Sequence, residues 1–235
     1  PGDTPGGCAD IKAHPVTGDV YASGSSLTYG RVIRKRSAGA AGFTTVYTSG
    51  ANDGGSGWSI GFHPDGRVFV AGDGPVSGNH PWLVLGSATG EAGTWEMMDA
   101  FKTAEWTEAS ARACVITGSG TIYVAGWAYS TRTQQRHWIV RSSHDGGVTW
   151  ANSDDFSLGG STLEVNGMTV DPAGNIHVCG QAEDEAGRLY WVVRQGTPQI
   201  HWNEQTGAWD SSLTWTLSDT FQLAPGQPAR ANDIA

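Results

Sequence analysis

Short apolar stretches recur along the whole chain, separated by turns rich in Gly, Pro, Asp and Ser. Within a stretch, bulky and small residues alternate, as in Val68-Phe-Val-Ala-Gly72, Ile122-Tyr-Val-Ala-Gly126 and Ile176-His-Val-Cys-Gly180. That period of two predicts half-buried strands, and no segment holds apolar residues at helical spacing over three turns. The pattern also repeats as a whole. The closing glycines stand at positions 24, 72, 126 and 180, a spacing of roughly 50 residues, which marks an array of several-stranded units. Each unit reads as four strands. The first ends at a tight turn, as Ser59-Ile-Gly-Phe62 does at His63-Pro-Asp-Gly66. The second is the alternating run to glycine. The third is Trp82-Leu-Val-Leu85, Trp138-Ile-Val-Arg141, Trp191-Val-Val-Arg194 and, more weakly, Gly30-Arg-Val-Ile-Arg34. The fourth opens with Thr-Trp and closes with Asp-x-Phe, at Asp99-Ala-Phe101, Asp154-Asp-Phe156 and Asp219-Thr-Phe221.

Four-stranded antiparallel units at this period predict an all-β β-propeller in one domain over 1–235. The blades are expected at about 8–50, 57–102, 111–157 and 165–222, with inner strands at Asp10–His14, Ser59–His63, Ala113–Thr117 and Gly167–Asp171. Ala231-Asn-Asp-Ile-Ala235 aligns with the first strands, so 230–235 reads as the start of a further blade of a larger propeller. An unpaired strand edge of that kind invites pairing with covalently continuous blades, with another chain through 231–235, or with the N-terminal segment Pro1–Asp10.

One motif carries a family resemblance. Ser143-His-Asp145-Gly-Gly147-Val-Thr149-Trp150 resembles the Asp-box (BNR-type) pattern Ser-x-Asp-x-Gly-x-Thr-Trp at every defined position. It stands between the third and fourth strands, where sialidases and sortilin-type receptors carry it. Asp171-Pro-Ala-Gly-Asn175 is similar to a bacterial β-propeller repeat. The resemblance implies a sialidase-like propeller, a bacterial source, a secreted or cell-surface setting, and a structural box of Ser143, Asp145, Gly147, Thr149 and Trp150. Asp145 is expected to bond backbone inside its own turn, with Trp150 buried. It also implies what a sialidase site would need: an arginine cluster, a Tyr–Glu pair and an Asp. The family's Phe/Tyr-Arg-Ile-Pro segment is absent, and no spacing picks out a carboxylate pair among Asp10, Asp53, Glu108, Glu164 and Asp233.

Composition narrows the function classes. The net charge of −9 argues against a nucleic-acid partner. Arg31, Arg34, Lys35 and Arg36 form the basic run, expected as a solvated strand edge. No apolar run is long enough to span a membrane as a helix. Cys8, Cys114 and Cys179 cannot all pair with one another, and Cys114 and Cys179 fall at core positions as free thiols. No metal-ligand spacing and no cofactor motif is present. In a propeller, the loops from fourth to first and from second to third strands share one end. That end carries Trp58, Trp106, Trp127, Tyr129, Asp53, Arg112, Arg132 and Arg136. Aromatics with a few polar groups suit a carbohydrate or protein partner, although Trp58 and Trp106 could instead plug blade junctions. The expectation is therefore a non-catalytic binding or assembly propeller, with a sialidase-like glycoside hydrolase as the alternative.

Overall fold

The computed structural model describes residues 6–50, 55–74, 81–203 and 208–222. It contains sixteen strands among these residues, in four antiparallel sheets of four. Blade one is β1 (Gly6–Ala13), β2 (Val20–Ser26), β3 (Gly30–Arg36) and β4 (Thr44–Thr48). Blade two is β5 (Ser56–Phe62), β6 (Val68–Asp73), β7 (Trp82–Ser87) and β8 (Trp95–Phe101). Blade three is β9 (Trp106–Ile116), β10 (Ile122–Ser130), β11 (Gln135–Ser143) and β12 (Ala151–Phe156). Blade four is β13 (Gly159–Val170), β14 (Ile176–Asp184), β15 (Leu189–Asn203) and β16 (Ala208–Gln222). In every blade the strands run in sequence order from the inner edge outwards, and the inner strands β1, β5, β9 and β13 pack on their neighbours in turn. This is a β-propeller arc.

The closing glycines have a physical cause. Each inner strand carries a bulge opposite its glycine, leaving Ala9, Trp58, Arg112 and Asn166 without a ladder partner. The bulge brings an inner-strand carbonyl against the glycine. A Cβ on Gly24, Gly72, Gly126 or Gly180 would strike the carbonyl oxygen of Gly7, Ser56, Ser110 or Glu164. One repeated residue thus permits one repeated kink, and a bulge re-aims the side chain it carries.

The core lies between blades. Phe69, Trp82, Phe101, Trp106, Ile122 and Ile139 fill the junction of blades two and three; Tyr123, Trp138, Leu163, Val178 and Val192 fill that of three and four. Two of these junctions share a clasp. Arg141 of β11 stacks on Phe101 at 4.4 Å and bonds Asp99 at 2.7 and 3.2 Å. Arg194 of β15 stacks on Phe156 at 4.3 Å and bonds Asp154 twice at 2.7 Å. The Asp-x-Phe ending of one blade is therefore the socket for an arginine of the next. The basic run departs from its expected role for a related reason. Arg31 and Lys35 are buried because β3 is an interior strand; Lys35 pairs with Asp19 at 2.8 Å and with Glu91 of blade two at 2.6 Å. Arg34 and Arg36, on the opposite face, are exposed.

The first and last blades are open on their outward sides. Ile11 holds the register position of Ile60, Cys114 and Met168, which are 0, 2 and 9% exposed, yet Ile11 is 58% exposed. Trp191 is 42% exposed where Trp82 and Trp138 are fully buried, and Phe221 is exposed too. The segment 230–235 lies outside the described residues, as does the expected site residue Asp53.

Candidate functional site at the bulged end of the inner strands

The bulges place side chains from three blades together. Trp58 occupies the bulge of β5 and Arg112 that of β9, and the Arg112 guanidinium lies 4.1 Å from the Trp58 ring centre. Trp127 of β10 is stacked in the same way by Arg136 of β11 at 3.9 Å. Glu164 of β13 joins the two stacks: it accepts from Arg136 at 3.0 Å and faces Arg112 at 3.9 Å. Trp58 is fixed from its other edge, since its indole donates to Asp73 at 2.8 Å. Asp73 also accepts from the Ser110 hydroxyl at 2.5 Å and the Ser56 amide at 3.1 Å. Arg112, Arg136 and Glu164 remain partly exposed, and the Arg112 Nε is buried without a partner among the described residues. The result is a ladder of alternating aromatic planes and guanidinium groups, with one carboxylate at its centre. Such a surface offers flat apolar faces beside charge-assisted donors.

The other expected site residues separate from this group. Trp106 is 7% exposed, packed 6.2 Å from Phe101 and 5.2 Å from His137, so it seals the junction of blades two and three instead of facing a ligand. Tyr129 is half-buried and donates to Gln134 at 3.1 Å within its own hairpin. Arg132 pairs with Glu105 at 2.8 Å, outside the ladder. Asp10 accepts from the Ile60 amide at 2.8 Å and so ties blade one to blade two. Glu164, Arg136 and Asp73 complete the site; the sequence placed Arg136 at this end and Glu164 among the available carboxylates without pairing them, and gave Asp73 no role, because each partner lies on another strand.

The box folds as a closed turn. Asp145 accepts from the Ser143 hydroxyl, the Val148 and Thr149 amides and the Thr149 hydroxyl, at 2.6 to 3.1 Å. These donors, led by Thr149, hold its carboxyl down at about 2. The Ser143 hydroxyl accepts from the Gly147 amide at 2.8 Å, and the Trp150 indole donates to the Gly147 carbonyl at 3.0 Å. Trp150 is half-buried, packed against the junction of blades two and three. Cys114 and Cys179 are buried and free, and burial pushes the Cys114 thiol up to about 12. No cluster of potential metal ligands is found among the described residues.

No protein-family model and no curated protein matches the chain. Solved structures do. The chain is similar to the Hadza microbial sialidase Hz136, with a TM-score of 0.61 and 12% identity, over 90% of this chain and 46% of that one. It thus spans just under half the length of that sialidase. Weaker likenesses are to YCF48 in complex with a peptide (TM-score 0.44, 10% identity, 83% of this chain and 66% of that) and to a GH43 glycoside hydrolase with an engineered active site (0.32, 12%, 98% and 57%). At these identities the likeness shows the fold: the chain is an all-β protein of the β-propeller class.

Proposed function

We propose that this chain is a non-catalytic part of a secreted or cell-surface propeller, and that its bulged end binds a carbohydrate. The observation that carries this reading is the ladder Trp58–Arg112–Glu164–Arg136–Trp127, which offers planes and donors while its carboxylates are already committed. Asp73 serves three donors and Glu164 is braced by arginine, so neither is placed as a free proton donor opposite a second acid. Binding is measured by calorimetry with neutral and uronic-acid oligosaccharides. Trp127→Ala and Arg112→Ala are expected to weaken it roughly tenfold or more, about 1.4 kcal/mol, at unchanged folding. Equal affinity in both variants would remove the ladder from the site.

The alternative, a sialidase-like glycoside hydrolase, is favoured by one feature, the convergence of Arg112 and Arg136. Turnover of a fluorogenic sialoside, abolished by Glu164→Gln, would establish it in place of the binding reading.

The open outer blades support a second role, in assembly. Asp219-Thr-Phe221 repeats the arginine socket, and among the described residues no arginine reaches it. Arg34 holds the register position of Arg141 and Arg194 but bonds the Phe43 carbonyl at 2.7 Å and meets no carboxylate among the described residues. The partner that fits both faces is another blade of the same repeat type.

A further inference from the structure

At the opposite end of the blades, where the tight turns lie, two junctions are closed and one is not. Between blades one and two, the His14 ring bonds the Gly66 carbonyl at 3.2 Å and Gly90 of the β7–β8 turn lies against Tyr21. Between blades two and three, His63 bonds the Gly120 carbonyl at 3.1 Å, and Gly147 of the box turn lies against Phe69. The junction of blades three and four lacks both devices. Thr117 replaces the bridging histidine and spends its hydroxyl inside its own turn, on Ser119 at 2.8 Å and the Thr121 amide at 3.1 Å. Blade four also has no box; β15 and β16 stay paired past the point where a box turn would stand, through Thr197–Thr214 and Pro198–Leu213. A cleft of about 560 Å³ remains between blades three and four, a size typical of small-ligand sites.

We propose that this cleft binds an uncharged, hydroxyl-rich ligand, a neutral sugar residue. Tyr123, the counterpart of Tyr21 and Phe69, lines it at 7% exposure, and among the described residues its hydroxyl has no hydrogen-bond partner. The hydroxyl reaches the water of the cleft, so a ligand hydroxyl placed there exchanges that water for a direct bond at the mouth of an otherwise buried ring. Burial also raises the Tyr123 phenol above its ordinary value, which keeps it a donor. Asn152 gives its carbonyl oxygen to Arg141 at 2.7 Å, which aims its amide hydrogens elsewhere, and Ser142 and His144 stand beside it. Pro172 and Pro198 supply apolar edges for C–H groups. Among the described residues no Asp, Glu, Lys or Arg lines the cleft, so a charged ligand would enter it without a counter-charge from them.

The site is separate from the bulged end, and the test keeps them apart. Saturation-transfer NMR and calorimetry are run on the 235-residue chain with cellotetraose, maltotetraose and mannotetraose, and with trigalacturonate as the anionic control. Saturable binding of at least one neutral tetrasaccharide is expected, with trigalacturonate weaker at this site. Tyr123→Phe, which keeps the ring, should weaken it by roughly three- to tenfold, one lost neutral hydrogen bond. Thr117→His should abolish it by rebuilding the bridge to Gly174 that closes the other junctions, without loss of folding. Trp127→Ala should leave it unchanged. Absence of saturable binding by all three neutral ligands would overturn the proposal. So would preference of the cleft for trigalacturonate, or a loss caused by Trp127→Ala and not by Tyr123→Phe.

Discussion

Single residues do sharply different work in this chain even when the sequence makes them look alike. Asp145 is an exposed carboxylate and Asp171 a half-buried one, each held at about 2 by nearby donors, chiefly Thr149 for the first and Asn175 and His177 for the second. Both values lie below the ordinary 3.8, so each aspartate contributes stability that is complete above that value and is lost as pH falls towards 2. Asp145→Asn is therefore expected to lower the melting temperature at neutral pH and to flatten its decline between about pH 4 and pH 2. Parallel melting curves of variant and parent across that range would remove Asp145 as the turn's anchor. Ser143→Ala acts on a buried group. It strands the Gly147 amide and removes one donor to Asp145, and should cost about 1–3 kcal/mol at neutral pH, measured by urea unfolding.

At the scale of the element, the inner strand is a ladder interrupted at one fixed place. The glycine that ends each second strand exists because the bulge presses a carbonyl against it, and the bulge determines where Trp58 and Arg112 stand. Gly126→Ala forces the Ser110 carbonyl and the bulge to move. The expected cost is about 1–3 kcal/mol by overpacking, with a loss of binding at the bulged end that exceeds the loss of stability. Chemical denaturation and calorimetry on one sample measure both; intact binding in a destabilised Gly126→Ala would show that the bulge does not aim Arg112. The repeat made these glycines plain in the sequence. It did not make the bulge plain, because a missing ladder partner is a property of two strands and not of either one.

At the scale of the molecule, blades are held by clasps that cross their junctions. The Arg194 guanidinium and the Asp154 carboxylate are both nearly buried, so Asp154→Ala leaves an uncompensated charge and is expected to cost about 3–5 kcal/mol by urea unfolding. Replacing both partners with leucine should cost much less, and equal costs for the single and double variants would show that the clasp is not the coupling. Arg34 and the Asp219–Phe221 socket extend the same logic beyond the arc. The isolated chain, with Ile11, Trp191 and Phe221 exposed, is expected to self-associate with rising concentration. Sedimentation should find this weakened by Arg34→Asp or Asp219→Arg and restored when both are combined. A monomer at every concentration, insensitive to either change, would exclude these faces from association between chains.

The sequence by itself determined the propeller. Period, turn chemistry and strand alternation are local, and each of the four units states them independently, so an all-β propeller of four-stranded antiparallel sheets follows from them. It also determined the box turn, whose donors and acceptor lie within a few residues of one another. Contacts between blades were decided only by the tertiary structure. Trp106 and Trp58 read alike in sequence, but one is sealed between Phe101 and His137 while the other is held open by Asp73 and Arg112. The basic run reads as a surface edge until Asp19 and Glu91 are placed around Lys35. In each case the deciding partner lies on another strand or another blade, and the energy of a buried charge or ring depends on that partner more than on its neighbours along the chain.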